Sequence, residues 1–447
     1  MTSLHAESAL TPDGWRKDVR LVVENGRIAS IQADVPAAPA DERLGVLVPG
    51  MPNLHSHASQ RAMAGLAEVG GPACDNFWSW RTAMYRLALS MTPDDFEAVA
   101  SHLYMEMLEA GFCRVGEFHY LHHDRDGRPF ADIAEMAVRV ATAAGRTGIG
   151  LTLLPVFYAH SGFGGAAPVN EQRRFINDLD GFEKLLIRCR AAVRDLPGAV
   201  VGVAPHSLRA VTPEELSSVI AMAVDGPIHI HAAEQIKEVQ DCITWSEARP
   251  IEWLLDHADV DKRWCLVHAT HMTAGETRRL AQSGATAGLC PVTEANLGDG
   301  TFPAQTYLAS GGRFGIGSDS NILIGINDEL RQLEYAQRLL RHSRNVLASP
   351  GLSTGRSLFD HALHGGGMAL AAATGLVLGN PADLVSLTTM QAPHVTDDAI
   401  LDSWIFTDAV RPDCVWASGR KVVTDGKHIH RREISARFHA TMRALVA

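Results

Sequence analysis

Between Val46 and Asp319 the chain alternates eight times between a short apolar, strand-like run and a longer stretch with helical periodicity. The runs fall at 46–54, 112–118, 148–156, 199–204, 227–230, 264–267, 285–290 and 313–317. Thr92-Pro-Asp-Asp-Phe-Glu sets a capping hydroxyl, a proline at the first helical position and first-turn acids ahead of a long patterned segment. Thr212-Pro-Glu-Glu-Leu repeats that signature, and Thr273-Ala-Gly-Glu-Thr opens another segment between two strands. Strands alternating with helices in this way predict an α/β fold. The specific expectation is a (β/α)8 TIM-type barrel over residues 49–375, reactive at the C-terminal ends of its strands.

Four of the runs end in residues that bind metals or move protons: His55-Ser56-His57, His231-Ala232-Ala233-Glu234, His268 and Ser318-Asp319-Ser320. Residues two apart on a strand share a face, so His55 and His57 can grip one ion together. Each piece alone is ordinary in a chain with 21 histidines, and a Ser-Asp pair commonly caps a helix or a turn. All four at strand ends carry more weight. Three imidazoles and a carboxylate with room for water describe a catalytic divalent-metal site rather than a closed structural one.

The flanks read differently. Residues 18–48 and 376–430 hold short alternating runs around turn residues, predicting antiparallel strands. Residues 1–48 with 376–430 are therefore expected to form one small β-sandwich from both chain ends, and 431–447 a C-terminal helix. With 40 basic and 51 acidic residues the formal charge is −11, which argues against nucleic acid as a partner. An anionic substrate must then be attracted by local cationic groups. Seven scattered cysteines without a Cys-x-x-Cys pair fit free thiols in a reducing cytosol. No export signal is visible, and no apolar run approaches the ~20 residues that span a bilayer. The expectation is a soluble cytoplasmic protein with no membrane partner.

The order of these groups on strands 1, 5, 6 and 8, with the flanking β ends and Gly379-Asn-Pro-Ala-Asp-Leu-Val, resembles the amidohydrolase superfamily over nearly the whole chain. His231-x-x-Glu234 resembles its deaminase branch. Within that branch the chain is similar to the formimidoylglutamate deiminase family. The similarity lies in 55–65, Glu117-Phe-His-Tyr-Leu-His-His123, 204–211, 231–235 and Cys290-Pro-Val-Thr-Glu-Ala-Asn-Leu-Gly-Asp-Gly300. The resemblance implies metal-dependent deimination of N-formimino-L-glutamate to N-formyl-L-glutamate and ammonia in histidine degradation, by a homodimer. Binuclear members carry a carboxylated lysine at the end of strand 4, where this chain has Val203-Ala-Pro-His-Ser-Leu-Arg209. The resemblance thus implies one divalent ion, zinc, on His55, His57, His231 and Asp319.

It also implies roles. Asp319 takes the proton of the attacking water, His268 orients that water, and Glu234 protonates the leaving nitrogen. A small-molecule dicarboxylate substrate needs at least two cationic or strong donor anchors. Arg209 after strand 4 and Arg81 beside Trp78 and Trp80 are the candidates, with Arg61 the nearest competitor to Arg81. Tyr120 and His206 lie just past strand ends and Gln60 three residues beyond a ligand, and all can donate hydrogen bonds, while Ser320 either touches substrate or caps a turn. His119, His122 and His123 read as loop structure, His229 as a packed residue, and Asn296 and Asp299 as shaping the loop after strand 7. The rivals are an aminohydrolase of a purine, pyrimidine or triazine ring, a hydrolase of a cyclic amide, and a metal-free binding scaffold. Ring pockets call for aromatic stacking more than for paired carboxylate clamps.

Overall fold

A computed structural model describes residues 1–70 and 77–446; Cys74 and Ala447 lie outside them. The N-terminal strands are β1 (Thr2–Thr11), β2 (Gly14–Glu24), β3 (Arg27–Gln32) and β4 (Glu42–Pro49). Nine short strands follow: β5 (Met51–Ser56), β6 (Phe112–His119), β7 (Gly150–Phe157), β8 (Val200–Val201), β9 (Ala204–Pro205), β10 (Ile228–Ala232), β11 (Trp264–His268), β12 (Thr286–Leu289) and β13 (Arg313–Ile316). The last four are β14 (Leu384–Thr388), β15 (Arg411–Ala417), β16 (Arg420–Thr424) and β17 (Lys427–His428).

Strands β5 to β13 pair in parallel as two arcs, β5-β6-β7-β8 with β9 on β7, and β10-β11-β12-β13. Single bridges close the ring: Ser56 with Asp319 on one seam, and Val203 with Ile228 and Ser207 with His231 on the other. The fourth barrel strand, expected as one run over 199–204, is broken into β8 and β9 at Gly202. A Cβ there would collide with the Pro227 carbonyl of the neighbouring strand, so only glycine admits that approach.

The helix starts anticipated at Thr92, Thr212 and Thr273 are real capping boxes, opening Pro93–Glu109, Pro213–Met222 and Ala274–Ser283. Each satisfies backbone donors that water would otherwise have to reach, contributing about 1 kcal/mol. The helix Thr354–Ala369 lies against the barrel through Gly365 and Gly366. A Cβ on Gly365 would overlap the Phe314 carbonyl of β13, and one on Gly366 would meet Pro52 of β5. Gly365→Ala is accordingly expected to cost about 1–3 kcal/mol from overpacking, read as a lowered midpoint in thermal or urea unfolding.

The chain ends meet in one eight-stranded sheet, ordered β17-β16-β15-β14-β4-β1-β2-β3. Its pairs are antiparallel except β1 with β4, which run parallel because β4 returns beside β1 and continues into the barrel. Alternation divides its residues between two cores. Leu47, Leu384 and Trp416 join Leu4 and Leu21 in a cluster drawn from both ends, whereas their neighbours Val46, Val48, Val385 and Val415 join the barrel core. The helix Arg431–Leu445 packs along Pro93–Glu109, with the Phe438 ring stacked on His102 at 4.0 Å. The six described cysteines are free and buried. Among the described residues no helix is long and apolar enough to cross a membrane.

Candidate active site

The sequence Leu54-His-Ser-His57 ends β5 with alternate side chains facing the barrel mouth, and β10 delivers His231 to the same point. The Nε2 atom of His55 lies 3.2 Å from Nε2 of His57 and 3.1 Å from Nε2 of His231. Asp319 Oδ1 sits 3.4 Å from His55 Nε2 and 3.3 Å from His57 Nε2. His57 Nδ1 donates to the Phe118 carbonyl and His231 Nδ1 to the His206 carbonyl, both at 3.0 Å. Those bonds fix the tautomers and turn the Nε2 lone pairs toward one another. Burial holds all three rings neutral, driving His55 down to about 3 and His231 well below the usual imidazole value. Converging lone pairs repel unless a cation lies between them. Around a tetrahedral ion with bonds of ~2.0–2.1 Å, neighbouring ligand atoms stand about 3.3 Å apart, which the observed spacings match. The four residues therefore fit a divalent metal.

The backbone that carries these ligands also closes the barrel. Asp319 N donates to the His55 carbonyl and His57 N to the Asp319 carbonyl, each at 3.0 Å. Asp319 has φ 44°, His268 φ 66°, Ala233 φ 53° and Asn321 φ 58°. Left-handed non-glycine residues cost about 1–3 kcal/mol each and collect where a site over-determines them. Here Asn321 supplies the constraint: it donates to the His57 carbonyl at 2.9 Å and accepts from Ser318 Oγ at 2.6 Å. Asn53 in turn donates to Ser318 Oγ at 2.7 Å.

Behind these four residues stand the candidate proton-handling groups. His268 Nε2 is 3.7 Å from Glu234 Oε1 and 3.9 Å from Asp319 Oδ2, while its Nδ1 is 3.2 Å from Glu294 Oε1. Burial disfavours the charged ring, but the carboxylates of Glu234, Glu294 and Asp319 outweigh it and lift His268 to about 10. Burial raises Glu234 to about 7 against the opposing pull of His268 and Arg209. Glu238 accepts the backbone N–H groups of Ala233 and Glu234 at 3.1 and 3.0 Å, holding that corner.

A cavity opens onto this cluster. His57, His231, Glu234, His268 and Asp319 line it together with Gln60, Arg81, Tyr120, His206 and Arg209. Phe77, Trp80, Met84, Phe175 and Leu297 supply apolar wall. Arg209 Nη2 is 3.7 Å from Glu234 Oε2, and the Arg81 guanidinium lies over the Trp78 ring at 4.4 Å. Gln60 donates to Tyr120 Oη at 2.9 Å. Ser320 lies outside this lining, with its hydroxyl 2.9 Å from that of Thr293. Arg61 is engaged by Glu106 and by the Asn321 and Ile322 carbonyls. His122 and His123 bond the Val156 and Ile176 carbonyls, and His229 the Ala369 carbonyl. Sequence reasoning passed over Glu294, Glu238, Tyr85, Tyr158 and Gln172. Of these, only Glu294 carried a signal, its place inside the 290–300 motif.

An amidohydrolase-family model matches residues 46–422, and the chain belongs to the amidohydrolase family, hydrolases of carbon–nitrogen bonds. The N-terminal domain model of formimidoylglutamate deiminase HutF matches residues 1–45. Formimidoylglutamate deiminase of Pseudomonas aeruginosa is 50% identical over 436 residues, covering 96% of each chain. An amidohydrolase from Brucella melitensis is 58% identical, with a TM-score of 0.98 over 100% of both chains. A zinc-bound adenosine deaminase from Xanthomonas campestris, 20% identical, shares the fold with a TM-score of 0.81 over 100% of this chain and 98% of its own.

Proposed function

We propose that the protein hydrolyses N-formimino-L-glutamate to N-formyl-L-glutamate and ammonia, as a deiminase of histidine degradation. The carrying observation is the likeness to the Pseudomonas aeruginosa deiminase, 50% identical across 96% of both chains. The cavity supports it: two guanidinium groups, Arg81 and Arg209, share its lining with Glu234, His268 and Asp319, which suits a dianionic substrate with a hydrolysable amidine. A nucleobase or triazine ring carries no carboxylate for either cation to bind.

His55, His57, His231 and Asp319 would hold one divalent ion, zinc in this reading, as in the zinc-bound relative of the same fold. Such an ion polarises water and brings its pKa toward ~7. Asp319 takes a proton from the attacking water, and His268 orients that water at the formimino carbon. Glu234 donates a proton to the nitrogen that leaves, because ammonia departs far more readily than amide anion. Water thus replaces the imino nitrogen by oxygen, and the carbon–nitrogen bond to glutamate stays intact. Arg209 and Arg81 anchor the two carboxylates, while Gln60, Tyr120 and His206 are the proposed neutral contacts; Ser320, outside the cavity lining with its hydroxyl on Thr293, is not among them. Cytoplasmic location fits the buried free thiols, and a homodimer is the proposed assembly, checked by light scattering.

The test is ammonia release from N-formimino-L-glutamate by zinc-loaded protein, with guanine assayed beside it. Stripping the ion with a chelator is expected to reduce turnover to background, and Zn²⁺ to restore it. Turnover of guanine alone would sink the substrate assignment while keeping the site.

A further inference from the structure

Gln172 stands outside everything the mechanism uses, yet it is buried to 1% exposure beside the cavity wall. Its Oε1 accepts the backbone N–H of Val169 at 2.9 Å, which forces the amide orientation, since the backbone nitrogen can only donate. The Nε2 must then face the other way. It donates to Tyr158 Oη at 2.9 Å and reaches Tyr85 Oη at 3.5 Å. An amide nitrogen has no lone pair to offer, so neither phenol can donate back. Both phenol protons are left for each other or for a guest in the cavity, which Tyr85 and Tyr158 both line.

The surroundings say which guest. The Arg81 guanidinium lies 5.5 Å from the Tyr85 ring centre, and Arg81 and Arg209 flank the Trp78 ring at 4.4 and 5.9 Å. Tyr158 and Tyr85 bond each other, which uses one phenol proton and leaves the other, so two guanidiniums and this phenol pair form a region of donors that matches a carboxylate. Burial raises Tyr158 far above the ordinary phenol value, so it stays a donor at every working pH.

We propose that Gln172 is a positioning residue that turns the Tyr85–Tyr158 hydroxyl pair into a donor for one substrate carboxylate, making this pair a specificity element beside Arg81 and Arg209. The inference rests on the deiminase reading above, and its test separates the two. Gln172→Glu keeps an oxygen for Val169 but places an acceptor where the phenols met a donor, drawing their protons away from the cavity. Tyr158→Phe removes one donor and leaves Gln172 intact. Both are assayed on N-formimino-L-glutamate and on the N-formimino derivatives of 4-aminobutyrate and 2-aminobutyrate, which lack the α- and the γ-carboxylate respectively.

The expected result is a loss in kcat/KM on N-formimino-L-glutamate of about tenfold for Tyr158→Phe and about 10–100-fold for Gln172→Glu, carried in KM. On one of the two truncated substrates, the one without the bound carboxylate, the loss disappears. An equal loss on all three substrates, or a loss carried in kcat, marks a merely structural role and overturns the inference while the deiminase reading stands. Unchanged KM in both variants overturns it too. No turnover of N-formimino-L-glutamate by the native zinc-loaded chain overturns both readings together.

Discussion

Glu234→Gln is expected to lower kcat for ammonia release about 10³-fold, in the middle of the range for removing a general acid or base. Gln has the same shape, and the Ala233 and Glu234 backbone N–H groups still reach Glu238, so fold and zinc content should hold. What disappears is a proton poised at the right pH. Burial raises the Glu234 carboxyl to about 7, with His268 and Arg209 pulling the other way. The protein thus keeps a proton there at neutrality that an exposed glutamate would have released near its ordinary 4.5. Since the acid form serves the leaving nitrogen, kcat/KM in the native chain should fall as pH rises through about 7. That limb should be missing from the residual activity of the variant. A native profile that instead rises through 7 would assign Glu234 the role of base.

The convergence of the candidate metal and acid/base residues was legible in the sequence because strand ends are the one place where a barrel converts position along the chain into position in space. His55, His57, His231, His268 and Asp319 each close an apolar run, and the fold carries every such end to one mouth. The cavity wall was less legible for a physical reason. Tyr158 leaves the end of β7 and Tyr85 sits on the helix Phe77–Ser90, so their meeting depends on how two long loops cross. Gln172 reaches the two phenols only because a bond to its own turn at Val169 orients its amide, and a buried glutamine in a three-residue turn carries no periodic signal. Glu294 illustrates the middle case. Its motif stood out in the sequence, but its partner His268 is 26 residues earlier, and only the closed barrel shows the contact. The parallel pairing of β1 with β4 was likewise hidden, because alternation predicts strands and faces but not direction.

Asp319→Asn should cost at least as much activity as Glu234→Gln, about 10³-fold or more, and for a different reason that a second measurement exposes. Asp319 does two jobs with separate atoms. Its main chain closes the barrel through the two bonds to strand β5, at a φ of 44° that asparagine tolerates better than most residues. The melting temperature of the metal-free variant should therefore stay close to that of the native chain. Its carboxylate supplies the negative charge of the donor set. Burial would push that carboxyl up, but the adjoining His55, His57 and His268 hold it well below the usual carboxylate range. It is ionised at every working pH, so its loss should remove activity uniformly and leave the limb near pH 7 in place. An amide oxygen brings neither full charge nor basicity, so zinc retained after dialysis should fall along with turnover. Glu234→Gln keeps its zinc and loses the limb; Asp319→Asn keeps the limb and loses zinc. If Asp319→Asn retained activity within tenfold of native with its zinc in place, the carboxylate would be neither base nor necessary ligand, and the proton would have to leave the attacking water through Glu234.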